Sequence, residues 1–148
     1  MVQALGGNAT PLAYGELYTA LQQGVVDAAE NNIPSFSLSR HGEVSKYFSL
    51  DEHTMVPDVL VISNKAYDGL SEENRAALKT AANHSMELMK KLWAESEAKE
   101  RANAEKLGVK FITPNKTAFV EAVQPMYDAL DETNPDLAEI VERIRAVQ

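Results

Sequence analysis

The 148-residue chain holds 22 acidic against 14 basic residues, a net charge of −8, and so offers no basic stripe to displace counterions from nucleic acid or to dock on an anionic membrane. It contains no cysteine, which excludes thiolate zinc sites, iron–sulfur clusters and cysteine nucleophiles. No apolar run reaches the ~18 residues of a membrane span, and Met1-Val2-Gln3-Ala4-Leu5 lacks the basic and apolar regions of a signal peptide.

A chain of this length buries roughly 70% of its unfolded surface, so one compact core is the starting expectation. The turn-rich opening, residues 6–11, predicts a loop. Residues 15–23 predict a helix with Leu17, Ala20 and Leu21 on one face and Gly24 as its stop. Residues 25–29 are a short strand candidate. Asn32 caps a helix that starts at Ile33-Pro34, with Phe36 and Leu38 inward.

Between residues 47 and 63 two β-type runs are expected, broken at Pro57-Asp58. The second, Val59-Leu60-Val61-Ile62, is apolar at every position, the mark of a strand covered on both faces. Ser71 then caps a long helix that Gly108 ends. Leu78, Ala81, Ala82, Ser85, Leu88, Met89 and Leu92 fall at helical spacing, and Trp93 suits a core or interface. Glu87, Lys90, Lys91, Glu95, Glu97, Lys99, Glu100 and Arg101 form the expected solvated face, with i,i+4 pairs.

Residues 109–112 predict a strand. Asn115 caps a helix striped by Phe119, Val120, Val123, Met126, Tyr127 and Leu130, with Pro125 inside it. Asn134-Pro135 starts a last helix with Leu137, Ile140, Val141 and Ile144 inward. The fold class is helix-rich α/β, with about four strands in a small mixed, partly parallel sheet and an edge open to a partner or further segment.

Catalytic signatures are sparse. His41, His53 and His84 fall on different elements, so no converging metal ligands are predicted, and His53 reads as a structural hydrogen-bonding residue of the sheet. The chain has no Gly-x-Ser-x-Gly elbow and no phosphate-cradling glycine loop. Asp27 and Glu30 could serve as a carboxylate pair, but no second catalytic motif accompanies them. No cofactor is implied. No lysine or arginine precedes Arg40, so an anion near Tyr14 and Asn31 would take its counter-charge from elsewhere.

The run from Leu5 to Asn31 carries the most specific pattern: Pro11, Tyr14, Glu16, Tyr18, Ala20-Leu21-Gln22, Gly24, Val26-Asp27 and Glu30-Asn31 in fixed spacing. It resembles the solute-binding subunits of tripartite ATP-independent periplasmic (TRAP) transporters, of the dicarboxylate type. The likeness extends over essentially the whole chain and corresponds to about the second half of such proteins.

The resemblance implies a periplasmic-binding-protein-like fold of type II, here its C-terminal part. It implies a periplasmic, non-enzymatic role: holding a dicarboxylate, keto acid or sugar acid in an interdomain cleft and delivering it to TRAP membrane permease subunits. A signal peptide, an N-terminal α/β domain and a carboxylate-pairing arginine are expected upstream of Met1. By the same resemblance Tyr14 packs against the ligand, Asn31 hydrogen-bonds its carboxylate and Glu30 orients the site. Two positions depart from the family pattern: Ala28 stands where glycine is usual and could crowd the pocket floor, and Gly15 stands where serine is common as a helix cap. The alternatives are a small acid/base enzyme built on Asp27 and Glu30, and a self-associating structural piece.

Overall fold

Ser71 sets the start of the dominant element. Its hydroxyl accepts the Asn74 N–H at 3.2 Å, and Glu72 and Glu73 place negative charge against the positive end of the helix dipole. In the computed structural model, which describes residues 1–147, this helix (α4) runs Glu72–Lys106. At 1.5 Å per residue it is roughly 50 Å long. Gly108 ends it at φ +85°, a left-handed conformation that favours glycine. Lys46 Nζ donates to the Leu107 carbonyl at 3.1 Å and to the Gly42 carbonyl at 2.8 Å, so a cation sits at the negative end of the dipole.

The other helices are α1 (Leu17–Gln23), entered through a 3-10 turn at Tyr14–Glu16, then α2 (Ile33–Leu38), α3 (Asn64–Asp68), α5 (Lys116–Asp128), α6 (Leu130–Thr133) and α7 (Pro135–Arg145). The expected caps form. Asn32 accepts from the Ser35 N–H, Asn115 from Thr117 and Asn134 from Leu137. Gly24 follows α1 at φ +70°. Helix α3, capped by Ser63, is too short to show an apolar period and escaped the sequence reading.

The chain divides into two units. One core was the expectation from length; local contacts instead gather around two centres. The first unit comprises Met1–Leu17, Ser49–His53 and Phe111–Gln148, the second Tyr18–Phe48 and Thr54–Lys110. In the first, α6 packs against both α5 and α7. In the second, α2 packs on α4. The buried apolar residues Ala20, Phe36, Ala104 and Val109 all belong to the second unit. Phe36 is its centre: the Phe48 ring meets it edge-on at 5.0 Å and His41 at 6.5 Å.

The sheet is smaller than the expected four strands. It pairs β1 (Tyr47–Ser49) with β2 (Lys110–Ile112) in parallel. Lys110 N–H donates to the Lys46 carbonyl at 2.9 Å, and Leu50 N–H to the Ile112 carbonyl at 2.8 Å. Residues 25–27 form a bend rather than a strand, because Val25 and Val26 N–H groups turn back to the Ala20 carbonyl. Residues 50–63 hold no regular structure. A strand exists only through a partner's hydrogen bonds, and apolar character alone does not provide one.

Two inward assignments change, at Leu38 and in α7, and apolar positions of α4 that fall at helical spacing also lie at the surface. Leu38 is exposed. So are Leu78, Leu88, Met89 and Leu92 of α4, and Leu137, Ile140 and Ile144 of α7. Conversely, Glu100, assigned to the solvated face of α4, is only 5% exposed. It accepts hydrogen bonds from Ser37 Oγ at 2.6 Å and Asn103 Nδ2 at 3.1 Å. The remaining charged face behaves as expected, with Lys90–Glu87 at 2.9 Å and Arg101–Glu105 at 3.3 Å.

Candidate functional site

Tyr14 opens the 3-10 turn ahead of α1, and its side chain is 56% exposed. The turn starts from Ala13, which provides no side-chain cap. Gly15 lies inside the turn rather than at a cap position, so a serine hydroxyl there would not play the capping part expected of it. Tyr14 belongs to the first unit.

Glu30 and Asn31 are neighbours on the loop between α1 and α2, in the second unit. Asn31 Oδ1 accepts the Asn32 N–H at 2.9 Å, while Asn32 Oδ1 caps α2. The pair of asparagines thereby fixes the loop's exit, and the Asn31 bond engages its oxygen. The Nδ2 amide remains the group suited to donate to a carboxylate. Glu30 is exposed, as are Asp27 and Ala28, so a methyl at position 28 projects from an open loop.

Arg40, the first cation of the chain, is engaged. Its Nε donates to Glu43 Oε1 at 2.7 Å, and the Tyr18 hydroxyl donates to Glu43 Oε2 at 3.0 Å. The guanidinium hydrogen bond holds the Glu43 carboxyl below its ordinary range, and the bond to Glu43 raises the Tyr18 phenol. Arg40 reaches this geometry with φ +63°. The network ties the start of α1 to the turn after α2, and no sequence period announces it; Tyr18 and Glu43 stand 25 positions apart.

His53 lies outside the strands and pairs through Nδ1 with Asp51 Oδ1 at 2.8 Å. His53 is the hydrogen-bonding residue expected, in the irregular segment after β1 rather than in the sheet. Among the described residues no group of three metal-ligating side chains converges, and no helix is long and apolar enough to cross a membrane.

A cavity of about 150 Å³ lies in the first unit among α5, α6 and α7, lined by Tyr127, Asp128, Asp131, Val141, Glu142 and Arg145 among others. Arg145 donates to Glu142 at 2.9 Å and stacks over Tyr127 at 5.1 Å. With its cation already committed to a carboxylate and two further acids on the wall, the cavity repels an anion. It is also below the ~300 Å³ at which small-molecule sites begin.

Comparison with known proteins gives the family. The sequence profile of the bacterial extracellular solute-binding proteins, family 7, matches residues 1–134. A solute-binding protein of Chromohalobacter salexigens is 39% identical across 100% of this chain and 44% of its own length. A TRAP periplasmic solute binding protein from the same organism, solved with bound D-glucuronate, is 38% identical with TM-score 0.93, covering 99% of this chain and 50% of that one. Another, from a Bradyrhizobium species and in complex with galacturonate, is 46% identical with TM-score 0.86, over 99% and 49%. The chain spans about half the length of these relatives. The helix-rich α/β fold with one long helix is that of the periplasmic solute-binding proteins. The chain belongs to the bacterial extracellular solute-binding proteins of family 7.

Proposed function

We propose that the chain forms the C-terminal part of a two-domain TRAP solute-binding protein. It supplies one wall of an interdomain cleft that holds a sugar acid of the hexuronate type in the periplasm and hands it to a membrane permease, without chemistry on the solute. The observation that carries this reading is the backbone match, at 38 and 46% identity, to proteins solved with glucuronate and galacturonate.

In this reading Tyr14 provides an apolar plate for the sugar ring. Asn31 Nδ2 donates to a carboxylate oxygen, and Glu30 accepts from hydroxyls. An aromatic face and a few placed polar groups are the kinds of group that small-molecule sites use. The charge-neutralising cation comes from the other part of the protein, since Arg40 is bound to Glu43. A carboxylate without a bidentate guanidinium partner loses its strongest orienting contact, so the 148 residues alone should hold the ligand feebly.

Calorimetry with D-glucuronate and D-galacturonate tests this. The chain joined to the unmatched half of the Chromohalobacter relative should bind, and the chain alone should not. In the joined protein Tyr14→Ala and Asn31→Ala should each weaken binding at least tenfold, about 1.4 kcal/mol. Glu30→Gln should alter affinity only. Unchanged affinity in both alanine variants, or turnover of the uronate that Glu30→Gln abolishes, overturns the proposal.

A further inference from the structure

The loop that carries Glu30 and Asn31 has little packing of its own. Residues 27–30 are all exposed, so its course is decided chiefly at its two ends. At the exit, α2 is anchored: Phe36 is buried, and Asn32 Oδ1 accepts the Ser35 N–H at 2.8 Å. At the entrance stands α1, where Ala20 is the one buried residue among those described. The Val25 N–H turns back to the Ala20 carbonyl at 2.9 Å, so the first residues of the loop follow wherever α1 lies. A helix with so little apolar burial opens readily unless a polar contact holds it.

The hydrogen bond from the Tyr18 hydroxyl to Glu43 Oε2, at 3.0 Å, is such a contact. Its acceptor is a fixed point. Arg40 Nε donates to the other oxygen, Glu43 Oε1, at 2.7 Å, and a carboxylate with a donor on each oxygen keeps one orientation. The turn that bears both residues is seated on the core. His41 and Gly42 are buried, and a Cβ at Gly42 would lie 3.2 Å from Val109 Cγ2. Lys46 Nζ donates to the Gly42 carbonyl at 2.8 Å. Arg40 holds φ +63°, a left-handed conformation that persists in a residue with a Cβ only where its surroundings enforce it. The bond from Tyr18 to Glu43 thus closes a ring of chain, and Glu30 and Asn31 lie within that ring. Closing a segment removes freedom from the residues inside it.

We infer that Tyr18 and Glu43 are positioning residues for the solute site. Their hydrogen bond sets α1, and through it the loop that presents Asn31, without touching the solute; Arg40 orients the acceptor. The inference rests on the proposed part of Asn31, but the order of the loop is read with no solute present.

The test uses the chain joined to the unmatched half of the Chromohalobacter relative. Amide exchange is first followed by NMR without ligand. Tyr18→Phe, which removes one hydroxyl, should speed exchange of the Val25 and Asn32 amides about fivefold, the size of one net hydrogen bond, and leave the amide of buried Val109 unchanged. Glu43→Ala should act alike. In calorimetry with D-glucuronate, Tyr18→Phe should weaken binding about fivefold. In a protein already carrying Asn31→Ala the same change should cost less than about twofold, because two residues acting through one contact are not additive. Unchanged exchange at Val25 and Asn32, equal acceleration at Val109, or losses that simply multiply in the double variant overturn the inference. Accelerated exchange at the loop, in a protein whose unaltered form binds neither uronate, would support the tether and count against the proposed function alone.

Discussion

Phe36 is the residue on which the small core of the second unit turns, and Phe36→Ala is the sharpest test of that packing. The ring is 6% exposed and meets Phe48 edge-on at 5.0 Å and His41 at 6.5 Å. Truncating a buried phenylalanine costs about 3–5 kcal/mol, from lost transfer energy and the cavity left behind. The lost edge-to-face pair adds about 1 kcal/mol. Relaxation is restricted here, because the neighbours are themselves pinned. Phe48 lies in β1, Val109 donates its N–H to the Ala104 carbonyl, and Gly42 is fixed through its carbonyl by Lys46. About 4 kcal/mol is a large share of the 5–15 kcal/mol by which domains are stable. At about 3 °C per kcal/mol for a chain of this length, Tm should fall by about 12 °C. Urea titration followed by circular dichroism at 222 nm reads the loss as a lower midpoint with unchanged slope. Phe36→Leu, close to volume-conserving, should cost less than about 1.5 kcal/mol. A loss under 1 kcal/mol for Phe36→Ala would refute the assignment of the core.

The same substitution at two glycines should act in opposite directions. A Cβ at Gly42 would lie 3.2 Å from Val109 Cγ2 and 3.4 Å from Phe36 Cε1, so Gly42→Ala should destabilise by about 1 kcal/mol in urea titration, overpacking outweighing the gain from a stiffer unfolded chain. At Gly15 a Cβ meets nothing within 4 Å, so Gly15→Ala should stabilise by about 0.5 kcal/mol in the same measurement. Burial lowers the pKa of His41; its contribution is complete above the ordinary imidazole value of about 6.5 and is lost as pH falls through the lowered one, so Tm measured from pH 7 downward should decline, less steeply in His41→Phe. Hydrogen bonds from Ser37 and then Asn103 hold the Glu100 carboxyl below its ordinary range; that contribution is present above the unfolded value and lost as pH drops through the folded one, so Ser37→Ala should shrink the acid sensitivity of Tm below about pH 4.

The elements whose signals are local were legible in the sequence. Ser71, Asn32, Asn115 and Asn134 cap helices with the hydrogen bonds expected of them, and Gly24 and Gly108 end helices in left-handed conformations. These devices act within one turn, so neighbouring residues suffice to reveal them. The residues from Pro11 to Asn31 likewise carried the resemblance to the family within one continuous stretch of chain. Burial was not local. Glu100 carries the same charge as Glu95 and Glu97, yet it is buried because Ser37, 63 positions away, comes to meet it. Leu60 and Val61 have the composition of a core strand and stand exposed, because a strand is completed by whatever lies beside it. Helix periods and caps are written into short stretches of chain; which face is covered, and whether an apolar run becomes a strand, is settled only by residues distant in sequence, for burial and ladder hydrogen bonds each need a second surface.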